Sequence, residues 1–417
     1  MKKTVKLIAA LMAVIFICAL FAGCKEKDPD AEKNPVVLKL GDMTLTRFYW
    51  DSLYGTNKNY YHLSQGAISM EDYFKIVQEE MERYAVTLKA ARDKNFELTA
   101  EEEASIEADA ESQWEYIKGV FMDKVDESIT DSDAVLNEFE RLFELDTGYS
   151  SELYRKCLRE TLRDRLLIKK LMASMTEGME PDDAEIRNQI DLLINSESQS
   201  GFSSFVSRFK SYAAGEGDPF VFVPDECFTV VQYLVNDGDG ADQRMAEADA
   251  ALEAGMTSAE FTELVGSDSN DDESMREERA RSMGYLVHDD LRDEYTTEFF
   301  YAANVANGRK VVPGMQMGSI PEYDVYKTTD NRIVVKIHEE GCTRYLMVAR
   351  KYIKGNVSYK AGDDIWELGR RTATEYIQRK YFDDQVEEWY QAALKGKKIK
   401  WYFDRFKSSY LPRILED

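Results

Sequence analysis

Apolar residues between Pro35 and Pro181 recur every three or four positions, and no proline interrupts them. That spacing is typical of amphipathic helices, whose apolar stripe faces a core. Thr99 and Glu102 stand three residues apart just before one such stripe, which is the spacing of a helix-capping box. This part of the chain is therefore predicted to form several long helices.

Shorter runs with the texture of β-strands flank the helical stretch. Residues 36–40 and 43–45 predict a strand, a turn and a second strand. Further on, 228–235 and 332–337 are rich in β-branched and aromatic residues, with short helical patterns between them. A last helical pattern covers 364–394. The predicted fold class is α+β: a mainly helical domain, completed by a C-terminal helix, with an inserted α+β domain.

The N-terminal segment has the pattern of a secretory signal peptide. Three lysines precede an uncharged run of 17 residues, 7–23, which ends in Phe21-Ala22-Gly23-Cys24. A membrane-spanning helix, the alternative, needs about 20 apolar residues. Small residues directly before a cysteine resemble a bacterial lipoprotein signal, in which Cys24 is lipidated and becomes the mature N-terminus. We therefore expect a lipid-anchored protein on the extracytoplasmic face of the cell membrane.

Charge and the scarcity of histidine exclude several function classes. The chain has 53 basic and 78 acidic residues, a net charge of −25, and loss of 1–23 with its three lysines makes this −25 − 3 = −28. Such a charge repels phosphate backbones, so nucleic-acid binding is not expected. The three histidines and the remaining cysteines show no metal-ligand spacing or catalytic triad. We expect no metal or cofactor and assign no catalytic residue.

Four segments in order resemble the helical part of the SurA/PrsA-type extracytoplasmic foldases. These are 37–46 (opening strands), 96–103 and 179–186 (helix starts) and 151–166 (the helix between them). The resemblance implies a helical chaperone domain with an inserted parvulin (PpiC-like) peptidyl-prolyl isomerase domain. The expected boundaries are a signal peptide 1–23, a tether 24–35, the chaperone domain 36–195, a linker 196–224, the parvulin-like domain 225–341 and a C-terminal helical segment 342–417.

Within the second part, the resemblance is to parvulin. The run 228–235 matches its first strand, Met283-Gly284-Tyr285 its glycine turn and 328–337 its last strand. The pattern departs from the family at the isomerase pocket. Gln232 and Ile333 stand where the family has its two histidines, Tyr295 where it has a pocket methionine, and only Phe299 is kept. The resemblance therefore implies a degenerate pocket on a retained fold, with isomerase activity (EC 5.2.1.8) weak or lost.

Cys227 and Cys342 flank the two strands matched to the first and last strands of parvulin. Those strands are antiparallel neighbours in that fold, so the resemblance permits a disulfide between the two cysteines. Two separate buried thiols are the alternative.

The expected function is that of a membrane-anchored chaperone whose partners are unfolded or partly folded exported polypeptides. An active prolyl isomerase and a surface lipoprotein that binds one dedicated protein are the alternatives. The sequence leaves the clients, the oligomeric state and the number of membranes in the envelope open.

Overall fold

The computed structural model describes residues 29–60, 68–309 and 321–405, so the expected signal peptide and Cys24 lie outside the described residues. The helices are α1 Pro29–Lys33, α2 Arg47–Tyr60, α3 Met70–Asp93, α4 Ala100–Met122, α5 Ser132–Thr147, α6 Ser151–Met175, α7 Asp183–Ser198, α8 Phe202–Ala213, α9 Ala241–Glu253, α10 Ser258–Asp268, α11 Glu273–Arg276, α12 Glu278–Met283, α13 Thr297–Ala306 and α14 Asp364–Lys395. The strands are β1 Val36–Leu40, β2 Met43–Thr46, β3 Phe222–Val223, β4 Cys227–Asn236, β5 Tyr285–Val287, β6 Tyr323–Lys327, β7 Ile333–Glu339, β8 Cys342–Tyr352, β9 Gly355–Asn356 and β10 Ile399–Trp401. Short 3₁₀ turns cover Asp289–Glu294 and Phe403–Arg405.

The chain divides into two compact units, the first of residues 1–179 with 377–417 and the second of 180–376. Helix α14 contributes its first part to the second unit and the remainder to the first. Among the described residues, no helix combines the length and the apolar character that crossing a bilayer requires. The α+β class predicted from the sequence is confirmed.

The first unit joins a small antiparallel sheet to long helices. The strands lie in the order β10-β1-β2, and Leu38 of β1 is opposite Trp401 on one side and Leu45 on the other. Leu38 and Leu45 are fully buried, together with Trp50 of α2 and Tyr73 of α3. The predicted strand, turn and strand at 36–45 is therefore confirmed, and its inward side chains form the base of a core.

The helices of the first unit begin at the caps that the sequence indicates. The Thr99 hydroxyl accepts from the backbone N–H of Glu102, and the Glu102 carboxylate accepts from the Thr99 N–H, so the predicted capping box is confirmed. The Asp131 and Ser150 side chains cap α5 and α6 by accepting from the backbone N–H groups of Ala134 and Leu153. Each cap satisfies backbone donors that a helix start leaves without a partner, which explains why these boundaries were predictable.

A buried carboxylate ties three helices of this unit together. Asp164 of α6 accepts a hydrogen bond from the Tyr49 hydroxyl of α2, and both of its oxygens lie 2.9 Å from Nη2 of Arg92 on α3. Burial and the nearby carboxylate raise the pKa of Tyr49. Because a buried charge is tolerated only with partners, this pairing sets how the three helices pack.

The second unit is built on a five-stranded antiparallel sheet in the order β5-β4-β8-β7-β6. Residues of β4 alternate between its two faces: Val230 packs with α13, whereas Val231 packs in a cluster with α9 and α10. Both faces are thus covered by helices, and β4 is buried along nearly its whole length. The strands predicted at 228–235 and 332–337 are confirmed as β4 and β7.

The C-terminal boundary predicted for the parvulin-like domain is wrong. Residues 342–352 were assigned to a helical segment, but they form β8, the central strand, which pairs with β4 over its whole length and with β7 on its other side. Position 341 is the turn of the β7–β8 hairpin. Most residues of β8 from 342 to 348 are buried, as expected of a strand with neighbours on both sides.

The linker predicted at 196–224 is also wrong. It contains the end of α7, all of α8 and β3, and Phe205 and Phe209 of α8 are buried in a cluster with Phe220 and Leu286. Helix α7, which was expected in the chaperone domain 36–195, belongs to the second unit. The amphipathic pattern at 202–212 is visible in the sequence, but its serine- and glycine-rich surroundings conceal that α8 packs into a core.

The disulfide that the resemblance permits between Cys227 and Cys342 does not form, and the alternative of two separate buried thiols is the one found. Both are buried free thiols, as is Cys157. Across the β4–β8 ladder Cys227 is opposite Tyr352, whereas Cys342 is opposite Asn236. The two cysteines therefore lie at opposite ends of β4, about 30 Å apart at roughly 3.4 Å per residue, and a disulfide requires Cα atoms within about 7 Å. The resemblance takes β7 as the antiparallel neighbour of β4, but β8 lies between these two strands. The two cysteines are therefore not brought together.

The glycine turn predicted at 283–285 gives a test of how tightly β4 and β5 pack. Gly284 has φ 74° and ψ −178°, and a Cβ there would lie 2.6 Å from the Val230 carbonyl oxygen. Gly308 also has a positive φ, of 83°, but open space around it. We expect Gly308→Ala to lower the free energy of unfolding by about 1 kcal/mol and Gly284→Ala by at least about 2 kcal/mol more. Urea unfolding of both variants measures this, and equal losses would show that the close approach does not matter.

Candidate functional site

The residue at the first-histidine position of the resemblance, Gln232, is hydrogen-bonded inside the protein at both ends of its amide. Its side chain is only 4% exposed, on the face of β4 that packs against α13. Nε2 donates to Oδ1 of Asp271 at 2.8 Å, and Oε1 accepts from Nη1 of Arg344 at 2.6 Å. Both ends of the amide are thus occupied without any ligand.

Asp271 is the buried acid of this network and lies in the loop between α10 and α11. Its Oδ1 accepts from Gln232, from the Tyr285 hydroxyl at 2.6 Å and from the backbone N–H of Asp272 at 2.9 Å. Burial raises the pKa of Asp271, and the hydrogen bonds from Tyr285, Asp272 and Gln232 act against that rise. Burial and the neighbouring Asp271 likewise raise the pKa of Tyr285.

Arg344 of β8 connects Gln232 to a second buried acid, Glu339 at the end of β7. Arg344 Nε donates to Oε1 of Glu339 at 2.7 Å, and the Thr296 hydroxyl donates to the same oxygen at 3.0 Å. Thr296 is also the cap of α13, because its Oγ1 accepts from the Phe299 N–H. The network therefore positions the helix that carries Phe299.

Phe299, the retained pocket aromatic, is covered by its neighbours and only 3% exposed. The Tyr295 ring is stacked on it, with centroids 4.6 Å apart and 17° between the planes. The Tyr285 ring meets it edge to face, with centroids 5.8 Å apart. The Arg344 guanidinium lies 5.7 Å from the ring centroid. Tyr295 is itself held by a hydrogen bond from its hydroxyl to the Leu286 carbonyl, 2.6 Å. The ring is therefore a core residue rather than the wall of an open pocket.

The structure brings together three of the four residues assigned to the degenerate pocket. Gln232 and Phe299 contact Arg344, and Tyr295 stacks on Phe299. Ile333, in contrast, begins β7 and is opposite Lys327 of β6. Ile333 packs at the margin of the apolar cluster that contains Phe299 and makes no part of the polar network. The neighbour of β4 is β8, so the residue opposite Gln232 is Leu346.

The pocket that the resemblance predicts to be degenerate contains a different set of polar residues. Asp271, Tyr285, Glu339 and Arg344 were not predicted, and they form a continuous hydrogen-bonded set with Gln232. Arg344 is 112 positions from Gln232, and only the pairing of β8 with β4 brings them together. The usable signal was Arg344, the charged residue in the otherwise uncharged run 342–348, since a buried charge in a strand requires a partner.

In the part of the chain that the structure describes, the histidines contact hydroxyl or backbone groups and form no cluster of metal ligands. His338 contacts the Thr343 hydroxyl and His288 accepts from the Asp290 N–H, while His62 lies outside the described residues. No group of three or more metal-ligating side chains is found among the described residues.

Comparison with known proteins gives a limited result. No family model and no curated protein matches the chain. Among solved structures, it is similar to the peptidylprolyl isomerase PrsA from Bacillus anthracis, with 12% identity over 78% of this chain and 99% of that one, at a TM-score of 0.18. It is also similar to the foldase protein PrsA from Streptococcus pneumoniae, with 14% identity over 86% of this chain and 93% of that one, at a TM-score of 0.23. We base no conclusion about fold or activity on superpositions at these scores.

The buried acid makes the pH dependence of stability a test of the network. Because the pKa of Asp271 is raised, its contribution to stability is fully present below the ordinary value of 3.8 and is lost as the pH rises through the raised value. Asp271→Asn keeps an acceptor oxygen and cannot ionise. We expect its free energy of unfolding, relative to the parent chain, to rise between pH 3.5 and pH 7, measured by urea unfolding.

Asp268, three positions earlier, is the matched control with the opposite sign. Burial acts to raise its pKa, but hydrogen bonds from Tyr233 and Arg244 outweigh this, so the pKa is lowered. Its contribution is present above 3.8 and is lost as the pH falls through the lowered value. Asp268→Asn should therefore lose stability relative to the parent as the pH rises. Slopes of the same sign for both variants would contradict the assignment of Asp271 as the desolvated acid.

Proposed function

We propose that the chain is a membrane-anchored extracytoplasmic chaperone of exported polypeptides, with a parvulin-like module that has lost prolyl isomerase activity. The observation that carries the proposal is the closed state of the pocket: Phe299 lies under Tyr295, and both ends of the Gln232 amide are hydrogen-bonded. Catalysis must lower a rotational barrier of about 18–20 kcal/mol in the amide before proline. A covered ring and an occupied amide supply neither an enclosure for proline nor a free polar group for its carbonyl.

Exposed apolar side chains on the helical unit support the chaperone part of the proposal. Tyr116 and Val120 of α4 stand one turn apart, and they are 75% and 44% exposed. Gly119 between them has open space around it, so this side of α4 is a smooth apolar strip among acidic residues. Such a strip suits apolar segments of an unfolded chain, and the net charge of −25 favours segments that also carry lysine and arginine.

Anchoring is proposed from the sequence pattern alone. Acyl chains on Cys24 would contribute about 0.8 kcal/mol per buried CH₂, so two or more would hold the protein at the membrane. The surface of the bilayer is where exported chains emerge in an unfolded state, which is the supply of clients that a holding chaperone needs.

Absence of isomerase activity is the first test. With a proline-containing peptide, the full chain should leave the rate of cis–trans exchange at its uncatalysed value, because the pocket is filled by the protein's own side chains. Exchange NMR measures the rate directly. An acceleration that disappears in Phe299→Leu but persists in Tyr323→Ala, an exposed aromatic on β6, would show that the module is an active isomerase instead.

Suppression of aggregation is the second test. A stoichiometric amount of the full chain should reduce light scattering by a denatured basic client more than by an acidic one. The difference should shrink from 0.1 M to 1 M salt, as the Debye length falls from about 10 Å to about 3 Å. Tyr116→Ser should weaken suppression, whereas Lys118→Ser on the same helix should not. Unchanged aggregation at several-fold excess of the parent chain would contradict the chaperone role.

A further inference from the structure

A cavity of about 260 Å³ lies in the first unit, between α2, α4 and α6 and the loop that precedes α6. Its walls are aromatic: Phe48 meets Tyr149 and Tyr154 edge to face, with ring centroids 5.5 and 5.1 Å apart. Leu158 and Leu162 of α6 extend the apolar surface. The space is smaller than the roughly 300–1,000 Å³ of sites for drug-sized ligands, so it suits a single large side chain.

Two charged groups line the cavity, and only the negative one is neutralised. Asp51 accepts from the Tyr149 hydroxyl at 2.6 Å and pairs with Arg47, whose Nε is 3.2 Å away. Arg165 is exposed at the opening, and its recorded polar contact is a long one, 3.5 Å to the Ser52 hydroxyl. Among the residues that the structure describes, Arg165 has no carboxylate within ion-pair distance. The uncompensated charge at the cavity is therefore positive.

Three other arginines of α6 form ion pairs, so the lack of one at Arg165 is not typical of that helix. Arg155, Arg159 and Arg163 each pair with a glutamate of α4, at 2.5 to 2.8 Å. Arg165 projects towards the cavity instead, in a chain with 25 more acidic than basic residues. An arginine that remains without an acidic partner in such surroundings, beside an aromatic-walled cavity, is suited to an anion attached to an apolar group.

We propose that this cavity binds a carboxylate carried by an apolar side chain, the chemistry of a polypeptide C-terminus that ends in leucine, phenylalanine or tyrosine. The apolar side chain fills the space between Phe48, Tyr149 and Tyr154, and the carboxylate pairs with Arg165 at the opening. Gln113 of α4, also exposed at the opening, can donate a second hydrogen bond to it. The site lies wholly within the first unit, so it does not depend on the function proposed for the module in the second.

Fluorescence anisotropy with the full chain tests the proposal. The probe is a fluorescein-labelled peptide of glycine and serine that ends in phenylalanine, prepared as the free acid and as the C-terminal amide. The free acid should bind at least tenfold more tightly, because the amide cannot form the ion pair. Equal binding of the two probes, or no binding of either, would overturn the proposal.

Two variants of α6 locate the binding. Arg165→Gln should abolish the preference for the free acid, whereas Lys169→Gln, which removes an exposed charge one turn away and outside the cavity, should keep it. Equal losses in both variants would mean non-specific attraction to the surface and would overturn the site. Competition with N-acetylphenylalanine then separates the two sources of this chemistry: an inhibition constant equal to the dissociation constant of the peptide identifies the terminal residue itself as sufficient, and a weaker one assigns further contacts to the peptide.

Discussion

Compensation of buried charge is the constraint on which the second unit depends. Asp271 and Glu339 are carboxylates withdrawn from water, and Arg344 is the guanidinium that offsets them, directly at Glu339 and through the Gln232 amide at Asp271. Removing a buried ion from water costs several kcal/mol unless partners replace the lost hydration. The strands β4, β7 and β8 must therefore keep one register, since a shift by one residue would turn Arg344 to the opposite face. The part that these residues play in holding the sheet together supports the proposal that they do not bind a substrate.

Helix ends and isolated strands were predictable because their signals are local. The Thr99 capping box, the caps at Asp131 and Ser150 and the strand β4 all depend on residues within a few positions of one another. Strand β8 was missed for two reasons. Its buried run is interrupted by Arg344, and the resemblance to parvulin had already placed the last strand at 328–337. The same choice of neighbour produced the wrong domain boundary and made a disulfide between Cys227 and Cys342 look possible.

The sequence identified only those residues of the candidate site that occupy pocket positions in the resemblance to parvulin. Gln232, Tyr295 and Phe299 were found in that way, and they do lie together. Their partners were not found, because Asp271, Glu339 and Arg344 meet Gln232 only through long-range pairing of strands and loops. The cavity beside Arg165 was missed for a similar reason: its residues come from α2, α4, α6 and the loop before α6, and no stretch of sequence shows them as a group.

Burial of the cysteine thiols has a consequence for the redox behaviour of the chain. Burial raises the pKa of Cys157 and of Cys227 to about 12, so at pH 7 both side chains are thiols rather than reactive thiolates. The native fold thereby withholds Cys157 and Cys227 from thiol chemistry, whereas an unfolded copy would expose them to disulfide exchange in any oxidising surroundings. Oxidative cross-linking would then select against molecules that have failed to fold and leave the folded population untouched.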